Sequence, residues 1–141
     1  MRTRLACGMD WERWIPQAWA ARDRAYAPFS KFHVGALLVA SDERIFTGCN
    51  VENLSYGLTM CAERVAIGSA VVAGATEIIA AVVVADTQEP ISPCGACRQV
   101  LAEFGDPRIL LVGREGRAEF QLSELLPRAS TGILDLPGSE G

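Results

Sequence analysis

The 141-residue sequence predicts an α/β fold, with a mixed β-sheet carrying helices on both faces. Three observations lead there. β-Branched runs alternate with helical patterns along the chain, which is the signature of layered α/β architectures. One run, "EIIAAVVVA" at 77–85, is apolar on both faces, as a strand covered on both sides must be. Half of the residues are apolar and 21% are charged, so the chain has material for one packed domain over 1–141.

The elements follow in order. "DWERWIPQAWAARDRAYA" at 10–27 places Trp11, Trp14, Ala18 and Ala21 at helical spacing. Pro16 falls inside that pattern, so the helix is expected to start near it or kink there. "APFSKF" reads as a turn into the strand "HVGALLVA", which includes His33. "SDER" reads as a hairpin turn and "IFTGCNVE" as a second strand. The loop "NLSYGLT" precedes a helix, "CAERVAIGSAVVAG", and then comes the buried strand at 77–85. After the loop "DTQEPIS", Ser92 would cap a helix whose first residue is Pro93. "RILLVG" and "AEFQL" are the closing strands, followed by a short helix, "SELL". Residues 1–9 and 128–141 read as flexible ends, and the glycines of "GCNVENLSYG" as turn residues.

Bulk properties exclude several classes. No apolar run is long enough to span a bilayer, and the N-terminus lacks an apolar export core. A net charge of −4 argues against a nucleic-acid partner, whose phosphates demand a basic face. The expected setting is the cytoplasm, without membrane attachment. The five cysteines are Cys7, Cys49, Cys61, Cys94 and Cys97, an odd count that does not suggest a disulfide framework.

Taken alone, Cys94 and Cys97 could be a redox pair, half of a structural zinc clip or part of a catalytic metal site. Cys61, Cys94 and Cys97 all fall at predicted helix starts, where free N–H groups and the helix dipole favour thiolate. Together they could form a soft, tetrahedral three-sulfur site, for which zinc is the leading metal. Three protein ligands leave a fourth position for water, and bound zinc lowers that water's pKa to about 7. Glu63, two residues beyond Cys61, is placed to shuttle protons without being a ligand. A fourth thiolate from Cys7 or Cys49 would instead close the site as a structural clip. Cys49 reads as a buried apolar filler, Glu63 could be a solvated first-turn acid, and His33, the single histidine, carries no assigned role.

"CAE" at 61–63 and "PCGAC" at 93–97 match the signature of zinc deaminases. With "ARDRAYAPFSKFHVGALL", "TGCNVENLSYGLTMCAERVAI" and "SPCGACRQVLAEF", the chain resembles the cytidine deaminases, specifically the small homotetrameric Cys₃ zinc type, from about Ala20 to Leu126. The resemblance implies a three-layer cytidine-deaminase-like sandwich. It implies one Zn²⁺ per subunit on Cys61, Cys94 and Cys97, with solvent activated there attacking C4 of the cytosine ring. Glu63 would carry protons to N3 and to the departing amine. Phe32 would pack on the pyrimidine, and the backbone of Ala62 would bond the base. Asn50 and Glu52 would bind the ribose hydroxyls, as a paired amide and carboxylate on one side of a strand could do. Arg64 and Gln99 match positions that support the ligand sulfurs. Tyr56 falls where a neighbour's active site is completed, so the implied active form is a homotetramer with composite sites.

Two departures stand out. Ser130 replaces a phenylalanine that reaches a neighbouring subunit's base, and Phe29 stands where tyrosine is usual. The implied activity is conversion of cytidine and deoxycytidine to uridine and deoxyuridine with release of ammonia, in pyrimidine salvage. A deaminase of a modified cytosine nucleoside such as blasticidin S, and a zinc-stabilised binding protein without catalysis, are the competing readings.

Overall fold

A computed structural model describes residues 8–129; Cys7, Ser130 and most of the two expected flexible ends lie outside them. A mixed five-stranded sheet forms the middle layer, in the order β2-β1-β3-β4-β5. Its strands are β1 (Val34–Ala40), β2 (Ile45–Cys49), β3 (Ile78–Ala85), β4 (Arg108–Val112) and β5 (Arg117–Gln121). The helices are α1 (Trp11–Arg22), α2 (Ala62–Val72), α3 (Gly95–Ala102) and the short α4 (Leu122–Leu125). β3 and β4 run parallel, and every other neighbouring pair is antiparallel.

The pleat sorts side chains into two cores. Leu37, Val82 and Leu110 align across the sheet and pack with Trp14 and Ala18 of α1. One residue along, Leu38, Ala81 and Ile109 face the opposite way, onto Ala66 and Ile67 of α2 and Leu101 of α3. β3 lies between two strands and two helical layers, which is why its sequence has no polar face. The expected α/β sandwich with helices on both faces is what forms.

Two glycines set the layer spacing. A Cβ on Gly35 of β1 would fall 2.2 Å from the Ala18 carbonyl oxygen of α1. One on Gly48 of β2 would fall 2.4 Å from the Ala62 carbonyl oxygen, at the start of α2. Gly48 is thus a packing residue within a strand and not the turn residue its sequence context suggested.

Some boundaries shift. α1 begins at Trp11 and runs through Pro16, stopping at Arg22 instead of continuing to residue 27. Past it the chain peels away so that Tyr26 bridges Val51, with Tyr26 donating to the Asn50 carbonyl and Glu52 donating back. β2 therefore ends at Cys49, and Asn50 to Glu52 form a short bridged extension of it. His33 precedes β1, and α3 starts at Gly95 with Cys94, not Ser92, at its cap.

The pairing register explains where a site can form. β1 is antiparallel to both its neighbours, so its beginning lies beside the ends of β2 and β3, with Gly35 opposite Cys49 and Val34 opposite Ala85. Segments 32–34, 50–52 and 91–94 therefore meet at one end of the sheet. Among the described residues, no helix is long and apolar enough to cross a membrane.

Candidate active site

A cleft of about 330 Å³ opens at that end of the sheet. This is within the range of small-molecule sites, about 300 to 1,000 Å³. It is lined by Ser30, Phe32, Val34, Asn50, Glu52, Thr59, Cys61, Ala62, Glu63, Ile91, Ser92 and Cys94.

The thiols come from two helix starts. Cys61 caps α2 and Cys94 caps α3, both with extended backbone, and Cys97 sits in the first turn of α3. Cys61 Sγ lies 3.8 Å from Cys94 Sγ, which lies 3.5 Å from Cys97 Sγ. All three sulfurs lie within 4.8 Å of one another. Tetrahedral zinc with sulfurs at about 2.3 Å requires sulfur pairs about 3.8 Å apart, so this donor set fits the ion. Cys49 is half-buried and stands outside the cluster, so it is neither a fourth donor nor the fully buried filler expected of it.

The surrounding electrostatics follow from position. Burial opposes ionisation of Cys94, but donation from Cys97 outweighs it and holds that thiol below its ordinary value. Burial pushes the Cys97 thiol up, and the Glu63 carboxylate adds to the effect. Arg64 Nη2 donates to Cys61 Sγ at 3.3 Å, and this contact raises the guanidinium's pKa further. The guanidinium lies on the α2 turn that carries Cys61, placing positive charge against the sulfur cluster.

Glu63 is only 4% exposed, and burial pushes its carboxyl above the usual carboxylate range. It lines the same cleft as Cys61 and Cys94, so it is not the solvated first-turn acid that sequence alone also allowed. A buried carboxyl with a raised pKa beside a metal-ligand cluster is the arrangement expected of a proton carrier.

The open end is built by hydrogen bonds across long sequence separations. Asn50 Oδ1 accepts from Val34 N at 2.8 Å, and its Nδ2 donates to the Phe32 carbonyl at 2.8 Å. Glu52 Oε1 accepts from Phe29 N at 2.9 Å and Ser30 N at 3.1 Å, while Ser30 Oγ donates to Glu52 Oε2. Those contacts, led by the Ser30 hydroxyl, hold the Glu52 carboxyl below its ordinary value. Phe32 is exposed and lines the cleft; Ala62 is buried at its floor.

Tyr56 does not reach the main cleft. It edges onto the Phe29 ring at 5.7 Å and lines an adjoining hollow with Phe29, Ser30, Glu52 and Thr59. Gln99 lies half-buried on α3 and lines neither space. Ser30, Val34, Thr59, Ile91 and Ser92 line the cleft without having been singled out from sequence as site residues. Of these, Ser30 had a usable signal, since "PFSKF" joins a turn to the aromatic Phe32.

Known proteins resemble this chain in sequence and fold. Residues 9–112 match the family described as the cytidine and deoxycytidylate deaminase zinc-binding region. The cytidine deaminase of Halalkalibacterium halodurans is 48% identical over 126 residues, covering 87% of this chain and 96% of that protein. The cytidine deaminase of Mycobacterium tuberculosis is 42% identical over 129 residues, covering 92% of this chain and 95% of its own length. Among solved structures, the Burkholderia pseudomallei cytidine deaminase superposes with a TM-score of 0.82 at 48% identity, over 86% of this chain and 99% of that one. The chain belongs to the cytidine and deoxycytidylate deaminase family of enzymes.

Proposed function

We propose that this chain is a zinc-dependent cytidine deaminase of pyrimidine salvage, hydrolysing cytidine and deoxycytidine to uridine and deoxyuridine with release of ammonia. One observation carries the reading. Two of three clustered thiols, a buried carboxyl, an amide and a second carboxylate line one cleft of a size suited to a nucleoside.

Cys61, Cys94 and Cys97 would hold Zn²⁺, one per subunit. When bound, zinc would supply activated water near neutral pH. Glu63 would be the proton carrier of the site, holding a proton for N3 of the cytosine ring and for the departing amine. Its burial raises its pKa above the usual carboxylate range, which favours a carboxyl that can hold a proton. Arg64 offsets the charge of three thiolates by donating to Cys61. Gln99, on α3, would be a further support of the ligand sulfurs.

Substrate orientation falls to the open end. Phe32 packs on the pyrimidine, the backbone of Ala62 bonds the base, and Asn50 with Glu52 takes the sugar hydroxyls. Apolar side chains remain bare near the mouth: Leu54 is 81% exposed, Tyr56 71% and Leu58 66%. That exposure supports a homotetramer in which the 53–59 loop and Tyr56 complete a neighbour's site. The net charge of −4 argues against a polyanionic substrate. A small nucleoside would be the substrate, in the cytoplasm, without a nucleic-acid or membrane partner.

The test is ammonia release and loss of ultraviolet absorbance with cytidine, deoxycytidine and blasticidin S. Zinc content and sedimentation are measured on the same sample. Turnover of the two unmodified nucleosides by a zinc-loaded tetramer is expected. No ammonia from zinc-loaded protein, or a marked preference for blasticidin S, would contradict the reading.

A further inference from the structure

We infer that Ser30 is a positioning residue that locks Glu52 and Phe32 into the geometry the nucleoside requires, an assignment that rests on Glu52 binding the sugar. Ser30 touches both groups with one hydroxyl: its Oγ donates to Glu52 Oε2 and accepts from Phe32 N at 3.0 Å. Its own N–H donates to Glu52 Oε1 at 3.1 Å. The side chain lines both the main cleft and the adjoining hollow.

The local backbone needs such a fastening. The turn from Ala27 closes when Lys31 N donates to the Ala27 carbonyl at 3.0 Å, and Lys31 itself has φ 62. Left-handed backbone at a residue with a side chain is costly and persists only where its surroundings enforce it. Glu52, reaching over from the end of β2, supplies the enforcement through Phe29 N and Ser30 N.

Counting acceptors shows what this leaves for a ligand. A carboxylate offers about four lone-pair positions. Phe29 N and Ser30 N occupy Oε1, and the Ser30 hydroxyl takes one position on Oε2. One position is left, so Glu52 receives a single ligand hydroxyl in a fixed direction. Asn50 is similarly committed, with Oδ1 on Val34 N and Nδ2 on the Phe32 carbonyl, leaving one acceptor position and one N–H. The pair matches two adjacent hydroxyls, and Ser30 fixes the direction of one contact.

The experiment compares cytidine with 2′,3′-dideoxycytidine, which lacks the hydroxyls that Asn50 and Glu52 would hold. In Ser30→Ala, KM for cytidine is expected to rise roughly ten-fold, the scale of a hydrogen bond to a charged group, with kcat little changed. KM for the dideoxy compound, which keeps the base that Phe32 meets but lacks the sugar hydroxyls, should rise less than that for cytidine. Ser30→Thr should restore cytidine KM, and Ser30→Ala/Glu52→Ala should raise KM by less than the two single effects combined. An equal rise for both nucleosides, or additive effects in the double variant, would overturn the proposal. So would a Ser30→Ala chain that fails to fold by thermal unfolding, which would assign the hydroxyl to the scaffold. Glu52→Ala separates the two readings. If it raises cytidine KM while Ser30→Ala does not, only the role of Ser30 fails; if it leaves KM unchanged, the sugar assignment itself fails.

Discussion

At the inner end of the cleft Cys97 is 0% exposed and Glu63 4%, and both sit on helices whose buried faces lock onto the sheet. At the outer end Ser30 and Phe32 are exposed and Glu52 only part-buried, held by a turn and a strand extension stitched together with hydrogen bonds. The inner end places charge where water is scarce, so each group there has a large electrostatic effect on its neighbours. The outer end works in solvent, where geometry and hydrogen-bond direction matter more than field strength. Chemistry should therefore fail abruptly when the inner end is altered, and affinity should erode gradually when the outer end is.

The largest expected effect is on Glu63. Glu63→Gln should keep zinc and fold while lowering kcat by at least about 10²-fold to 10⁴-fold, measured by steady-state kinetics and metal analysis on one sample. Near-normal kcat would remove the carboxyl from the mechanism. Cys94→Ala should act differently, releasing zinc and lowering the thermal midpoint together, because ligation energy is folding energy. Retained stoichiometric zinc would show that the three-thiol cluster is not the metal site.

Stability changes come next. Gly48→Ala pushes a methyl against the first turn of α2 and should cost about 1–3 kcal/mol, read by denaturant unfolding. An unchanged midpoint would mean that α2 is free to shift. In the zinc-free protein the raised Glu63 pKa has a definite sign. Its protonated form is favoured by folding, so this contribution is full below the ordinary value of 4.5 and is lost as pH rises through the raised folded value. Zinc-free Glu63→Gln should lose less stability than the parent across that window; parallel curves would contradict the burial argument. The smallest effect belongs to the outer end. Glu52→Ala should raise cytidine KM about 10-fold to 100-fold with kcat nearly intact, and a collapse of kcat instead would place Glu52 in the chemistry.

The same contrast decides what the sequence disclosed. Cys94, Cys97, Cys61 and Glu63 are legible because each pair sits within one helical turn, so local spacing already fixes mutual geometry. The meeting of the two helix starts, and the cleft itself, depends on the antiparallel register of β1 with β2 and β3. Asn50 and Glu52 were legible as a pair, but their bonds to 29–34 were not. Those bonds span 16 to 23 residues and arise only because the chain leaves α1 early and Tyr26 bridges Val51. Ser30 was missed for that reason. Gly48 looked like a turn glycine because nothing local reveals a helix backbone packed against it.

X-ray absorption at the zinc edge, with metal counted per chain, tests the inner end most directly. The account predicts one zinc bound by three sulfurs at about 2.3 Å and a single oxygen at about 2.0 Å. Four sulfurs around the ion, or protein that takes up no zinc when supplied with it, would contradict it.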